Sequence, residues 1–198
     1  NIIENRFTNL NIFQISKCGW YHNKVQSVFS NNLVNGSEKN TFNRINFEIE
    51  PCANCTALIN NNNFSNIAFR LQNVGSSDNQ VILHSNKFSS ANMSAWAKST
   101  RRYTFFSLVE IIVDRACVIL NNTFENNSYP NGLSVTTSQP LKKVSNLNNQ
   151  FINNNDSFIF DSFSKHSDLK SYNILLTSLS HATVNYNMFI RSGSFDFD

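Results

Sequence analysis

One short pattern recurs along the chain and limits what it can fold into: an aliphatic run, a few polar residues, then Asn, any residue and Phe. Ala57-Leu58-Ile59 leads to Asn62-Asn63-Phe64, Val81-Ile82-Leu83 to Asn86-Lys87-Phe88, and Val118-Ile119-Leu120 to Asn122-Thr123-Phe124. Val144 and Leu147 precede Asn149-Gln150-Phe151, and Val184 and Tyr186 precede Asn187-Met188-Phe189. Asn5-Arg6-Phe7 opens the chain, Asn40-Thr41-Phe42-Asn43 is a further candidate, and Val25 to Asn32 is a degenerate copy around Phe29. From Phe7 through Phe42 to Phe189, the intervals are 35, 22, 24, 36, 27 and 38 residues. The short intervals match one turn of stacked β-strands, roughly 20 to 27 residues, and the long ones a turn with an added loop. Leucine-rich repeats need a leucine-dense segment that is missing here, and propeller blades need Gly-Trp punctuation that is missing too.

Stacking explains why the two residue types recur. Equivalent positions on successive turns lie about 4.8 Å apart. One turn alone buries almost nothing, whereas stacked turns bury a continuous interior column. Phe7, Phe64, Phe88, Phe124, Phe151 and Phe189 are expected to point inward and pile upon one another. Each ring then removes more than ~100 Å² of apolar surface from water, worth a few kcal/mol at about 25 cal/mol/Å². The Asn two residues earlier (Asn5, Asn62, Asn86, Asn122, Asn149 and Asn187) is expected at the bend between strands. Its short amide tolerates left-handed backbone angles and bonds to backbone groups of its own or the adjacent turn. A ladder of such amides satisfies bends that otherwise leave polar groups unpaired.

Through these positions the chain resembles the right-handed parallel β-helix family, the pectate-lyase-like superfamily, and more narrowly the Asn-rich β-helix repeats of large cell-surface proteins. The resemblance implies an all-β solenoid, with residues 1–198 forming a single segment. The start, NIIENRF, reads as the interior of a repeat, so a fragment of a longer chain is expected. Loop excursions are expected at about 30–56, 89–115 and 158–182. Within the second of these, Ala91 to Lys98 can form a short helix near 91–98, before the aromatic and β-branched residues from Tyr103 favour a strand.

Composition narrows the partner classes. The chain holds 35 Asn, 26 Ser and 18 Phe but only 5 Gly, and 15% of its residues are charged. Globular proteins average about 25% charged residues, so amides and hydroxyls must cover this surface. The aromatic content argues against a disordered chain. The most apolar runs, such as Cys117 to Leu120, are far too short to span a membrane as a helix. A net charge of +3 with no dense basic stripe predicts no nucleic-acid partner.

An enzyme on the resembled scaffold would need clustered aspartates with a basic residue, or two carboxylates about 5 to 9.5 Å apart. The 13 acidic residues are instead thinly spread. Glu48 and Glu50 share a strand face, and Glu110 with Asp114 before Arg115 is the nearest approach to an acid-base cluster; both sets read as loop or outer-face charges. His22, His84, His166 and His181 lie apart, and no nucleophile elbow, phosphate loop or dinucleotide fingerprint occurs. No catalytic residue, cofactor or metal is expected.

Cys52 and Cys55 form a C-x-x-C, and Cys18 and Cys117 do not complete a structural zinc site. A disulfide between Cys52 and Cys55 and free buried thiols both remain open. Seven sequons occur, against about six that the composition gives by chance; Asn35, Asn92 and Asn126 are the expected glycan sites. Cysteine usage and a low-charge, amide-rich surface fit an extracellular or cell-surface location. The expected function is a non-catalytic structural or adhesive solenoid within a larger surface assembly. Its expected partners are protein neighbours, further domains of the same chain, and glycans. The alternative is a carbohydrate-binding or polysaccharide-cleaving module, with Trp20 and Tyr21, or Trp96 and Tyr103, as a sugar-stacking platform.

Overall fold

A computed structural model of the chain describes residues 1–15, 26–39, 43–49, 55–73, 79–91, 107–128, 131–137, 143–154, 172–177 and 181–190. The aliphatic runs form one parallel sheet, sheet A: β1 (Ile2–Ile3), β4 (Gln26–Ser30), β7 (Thr56–Asn60), β10 (Gln80–His84), β13 (Ala116–Leu120), β16 (Lys143–Leu147) and β19 (His181–Asn185). The short Phe segments form sheet B: β2 (Arg6–Leu10), β5 (Leu33–Gly36), β8 (Asn63–Ser65), β11 (Lys87–Ser89), β14 (Thr123–Glu125), β17 (Gln150–Ile152) and β20 (Met188–Ile190). Sheet C holds β3 (Ile12–Ile15), β6 (Arg44–Ile49), β9 (Ala68–Asn73), β12 (Ser107–Val113), β15 (Asn131–Thr137) and β18 (Tyr172–Thr177).

Each strand pairs in parallel with its equivalent one turn away, and the chain visits A, B and C in order. The fold is a right-handed parallel β-solenoid, the hand that parallel crossovers take almost without exception. Among the described residues there is no helix. The expected helix at 91–98 lies, beyond Ala91, outside the described residues. The stretches read as excursions, 30–56, 89–115 and 158–182, contain regular strands of the stack: β5 and β6 in the first, β12 in the second, β18 in the third.

Alternation decides what faces inward. In sheet A, Ala57, Val81, Cys117 and Val144 form one buried column and Ile59, Leu83 and Ile119 another. Sheet C contributes Ile45, Phe69, Val109 and Leu133 beside Phe47, Leu71, Ile111 and Val135. Sheet B supplies the ring stack. Phe64 and Phe88 have centroids 4.8 Å apart, Phe88 and Phe124 5.1 Å, Phe124 and Phe151 4.6 Å, and Phe151 and Phe189 4.9 Å. Phe64, Phe88, Phe124 and Phe151 are fully buried, whereas Phe7 and Phe189 in the outermost turns are half-buried. Stacked pairs of this kind add about 0.5 to 1.5 kcal/mol to the burial of each ring.

The register departs from the repeat read in sequence at one turn. Between Phe7 and Phe64 the stacked strand presents Val34, and Phe42 lies outside the described residues. Phe29 compensates from the neighbouring sheet A strand, with its ring stacked at 6.2 Å from Phe7 and 6.1 Å from Phe64. Volume is thus kept although the aromatic and aliphatic positions are exchanged.

Candidate functional site

Among the described residues, the bend from sheet A to sheet B repeats with the same geometry from turn to turn. Its first residue has a left-handed backbone: Asn31, Asn61, Ser85, Asn121, Asn148 and Tyr186 have φ between 53° and 57°. Asn adopts this region more readily than most residues. The next residue is always Asn, and its side chain turns inward. Asn62 Nδ2 donates to the carbonyls of Phe29 and Asn60, and to Asn86 Oδ1 at 2.9 Å; the Asn62 main-chain N–H donates to the same Oδ1 at 3.0 Å. Asn86 repeats this toward Asn122, Asn122 toward Asn149, and Asn149 toward Asn187. Asn5 and Asn32 begin the series, Asn5 donating to Asn32 and Asn32 to Asn62. Consecutive ladder residues are 27, 30, 24, 36, 27 and 38 positions apart. Asn32 was absent from the sequence-derived ladder because Leu33-Val34, rather than x-Phe, follows it.

The bend from sheet B to sheet C has the same backbone shape, with positive φ at Asn9, Asn66, Ser90, Asn126 and Asn153. A second, shorter ladder runs here. The Ala91 N–H donates to Asn127 Oδ1, Asn127 donates N–H and Nδ2 to Asn154 Oδ1, and the amides of Asn127 and Asn154 also reach the Phe88 and Phe124 carbonyls. At the early end of this corner Asn43 Nδ2 donates to the carbonyls of Ser37 and Asn66, both at 2.9 Å. Gly36 is required there, because a Cβ would stand 2.0 Å from the Asn66 carbonyl oxygen.

Charge gathers on the outer face of sheet C. Gln14, Asn46, Arg70, Glu110 and Ser134 are register neighbours on five successive strands. Arg44 Nη2 donates to Glu110 Oε2 at 2.7 Å, and Arg70 Nε lies 3.4 Å from the same oxygen. Burial holds the Arg44 guanidinium below its ordinary value; Glu110 opposes that shift and Arg70 adds to it. Gln14, Arg44, Asn46, Phe47, Glu48, Arg70 and Gln72 line a groove of about 190 Å³. Asn46 Oδ1 is buried there without a hydrogen-bond partner.

No family model matches this chain, and no curated protein or solved structure matches it. The likeness to β-helix proteins rests on strand order, parallel register and the buried ladder.

The solenoid separates the residues that looked clustered in sequence. Glu110 faces outward on β12 and pairs with Arg44 and Arg70 from the preceding turns, whereas Asp114 is buried and partnered at the following bend. Glu48 is exposed and Glu50 lies outside the described residues. Asn121 Nδ2 is 3.4 Å from His84 Nε2 at the outer bend. Among the described residues no three His, Cys, Asp or Glu side chains are grouped as a metal site, and no helix is long and apolar enough to cross a membrane. Cys117 is a free, buried thiol whose ionisation is pushed far up by burial. Cys55 is buried and disulfide-bonded, while Cys52 lies outside the described residues. Of the expected glycan sites, Asn126 is exposed at a bend, Asn35 is half-buried in β5, and Asn92 lies outside the described residues, as do Trp20, Tyr21, Trp96 and Tyr103.

Proposed function

We propose that this chain is a non-catalytic structural or adhesive scaffold at an extracellular surface, one stretch of a larger assembly that works through its protein neighbours. The observation that carries the reading is continuity: one Asn ladder, buried from Asn32 to Asn149, and one ring stack run through the seven described turns of sheets A and B. Six spacings of about 4.8 Å make a stiff stack roughly 29 Å long, with repeating outer faces for neighbours to bind. The bonded Cys55 and the exposed Asn126 sequon support an oxidising, glycosylating compartment. Mass-spectrometric peptide mapping of native material, unreduced and with glycans retained, tests this. A Cys52–Cys55 cross-linked peptide and a glycan on Asn35, Asn92 or Asn126 are expected. Three bare asparagines together with free thiols at Cys52 and Cys55 would defeat the extracellular reading.

The groove on sheet C favours a second reading, a carbohydrate-binding module. Amide, guanidinium and carboxylate groups converge there, and the unpaired Asn46 Oδ1 suits a ligand hydroxyl. Tryptophan fluorescence during titration with polysaccharides of several classes separates the readings. A saturable shift supports the module, and flat titrations support the scaffold.

A further inference from the structure

Among the described residues, eight Asn carry a left-handed backbone at a bend. Two of them, Asn121 and Asn126, are followed two places on by a hydroxyl residue, Thr123 and Ser128, and the other six are not. Asn-x-Thr and Asn-x-Ser are the acceptor sequences for N-linked glycans. The two stand at opposite ends of one three-residue strand, β14. Both are exposed because the residue after each takes the inside of the bend: Asn122 is buried in the first ladder and Asn127 in the second. Asn121 has room for a sugar. Its side chain makes an exposed contact with His84 Nε2 at 3.4 Å, and its main-chain bond to the Leu147 carbonyl does not involve the amide. One turn back the corner holds Ser85, with a single hydroxyl, and one turn on it holds exposed Asn148. Asn35, by contrast, is half-buried in β5, and Asn63 has Leu33 and Lys87 beside it in register.

We propose that Asn121 carries an N-linked glycan and that this glycan, with one on Asn126, closes the outer face of sheet B at β14 to protein neighbours. The donor is an oligosaccharide held on a lipid pyrophosphate. Nδ2 of Asn121 bonds to C1 of the first sugar, one Nδ2 proton leaves, and the lipid pyrophosphate departs with the electrons of the broken C1–O bond. Transfer takes place before the chain folds, so the fold has only to leave the sugar outside, which the left-handed bend does. Five residues of extended chain span at most about 17 Å. A stable interface covers about 800 Å² on each partner, roughly 28 Å across. The two sugars therefore stand too close together for a neighbour to settle between them. Thr123, which completes the acceptor sequence, faces outward on β14 beside Lys87, and Lys87 pairs with Glu125 on the same face. The inference rests on the extracellular scaffold reading and narrows the faces its neighbours use to sheets A and C.

Enzymatic release of N-glycans from the native protein in heavy-oxygen water tests it, because each glycosylated Asn becomes a mass-labelled Asp. A parallel digest without the enzyme identifies any Asn that deamidates unaided. Fragment spectra are expected to place enzyme-dependent label on both Asn121 and Asn126. The rate at which Lys87 reacts with an acylating reagent is then compared before and after release. It is expected to rise several-fold once the sugars are gone, while exposed Lys39 on an earlier turn is unchanged. An unlabelled Asn121 overturns the proposal. Label on Asn35, Asn92 or Asn126 in that same digest leaves the extracellular reading standing, whereas bare acceptor sites together with free thiols at Cys52 and Cys55 overturn both. Label on Asn121 with Lys87 equally reactive in the two states keeps the site and overturns the closing of sheet B.

Discussion

Between sheets A and B every described turn puts an Asn inside the bend, whereas between sheets B and C the inward position holds Ser37, Ile67, Ala91, Asn127 and Asn154. Both bends begin with a left-handed residue and both are buried on their inner side. The shape of the bend therefore does not demand Asn inside it. What differs is how the main-chain groups are satisfied. At the first corner each amide supplies acceptors and donors to three turns at once, so removing one leaves partners stranded above and below. At the second corner Ile67 and Ala91 fill the same space with apolar volume, and among the described residues the ladder runs only from Ala91 through Asn127 to Asn154. Backbone shape and polar satisfaction are separable requirements, and this chain uses Asn for both: among the described residues, eight of the twelve non-glycine residues with positive φ are Asn, besides the ladder.

Substitutions sharpen that contrast. The ring stack lies between the corners and sets the upper bound: Phe124→Ala should cost about 3 to 5 kcal/mol in denaturant unfolding, because the ring is fully enclosed and its neighbours cannot collapse. Asn122→Ala comes next, at about 2 to 4 kcal/mol, since it leaves the Asn86 main-chain N–H without its acceptor and takes a donor from each of the Leu83 and Leu120 carbonyls. Asn127→Ala should cost less, about 1 to 2 kcal/mol, because its corner already accommodates Ala91 one turn earlier. Equal losses at Asn122 and Asn127 would erase the distinction between the corners. Ala91→Asn extends the second ladder by one rung and should be neutral or stabilising by up to about 1 kcal/mol, read as the shift in unfolding midpoint. Lys87→Ala should stay within about 0.5 kcal/mol, since its pair with Glu125 is on the outer face and partly exposed.

The ring stack and most of the first ladder were legible because each needs one residue type at one offset, so the requirement is written as Asn-x-Phe. Where a position needs only volume or one polar atom, the sequence carries no shared letter. That is why the second corner leaves no motif in the sequence, and why the exchange of roles between Val34 and Phe29 leaves none. The left-handed residue was also placed one position late. Asn61, Asn121 and Asn148 bend the chain, and the Asn that follows each of them points inward. Leu147 looked like part of the apolar interior, yet alternation turns it outward and buries Asn146, whose Oδ1 accepts from Asn149 at 2.6 Å. The charged groove on sheet C was illegible for another reason: Arg44, Arg70 and Glu110 are joined only by stacking across turns, at separations that no local motif records.

The central claim is that the first-corner ladder is closed to water and holds the turns together. Hydrogen exchange of the Asn side-chain amides, followed by NMR, tests it most directly. The Nδ2 protons of Asn62, Asn86, Asn122 and Asn149 should exchange only as fast as the whole chain unfolds, and far more slowly than those of exposed Asn61, Asn121 and Asn148. Ladder amides that exchange as fast as the exposed ones would show that the bends open independently, and would contradict the account.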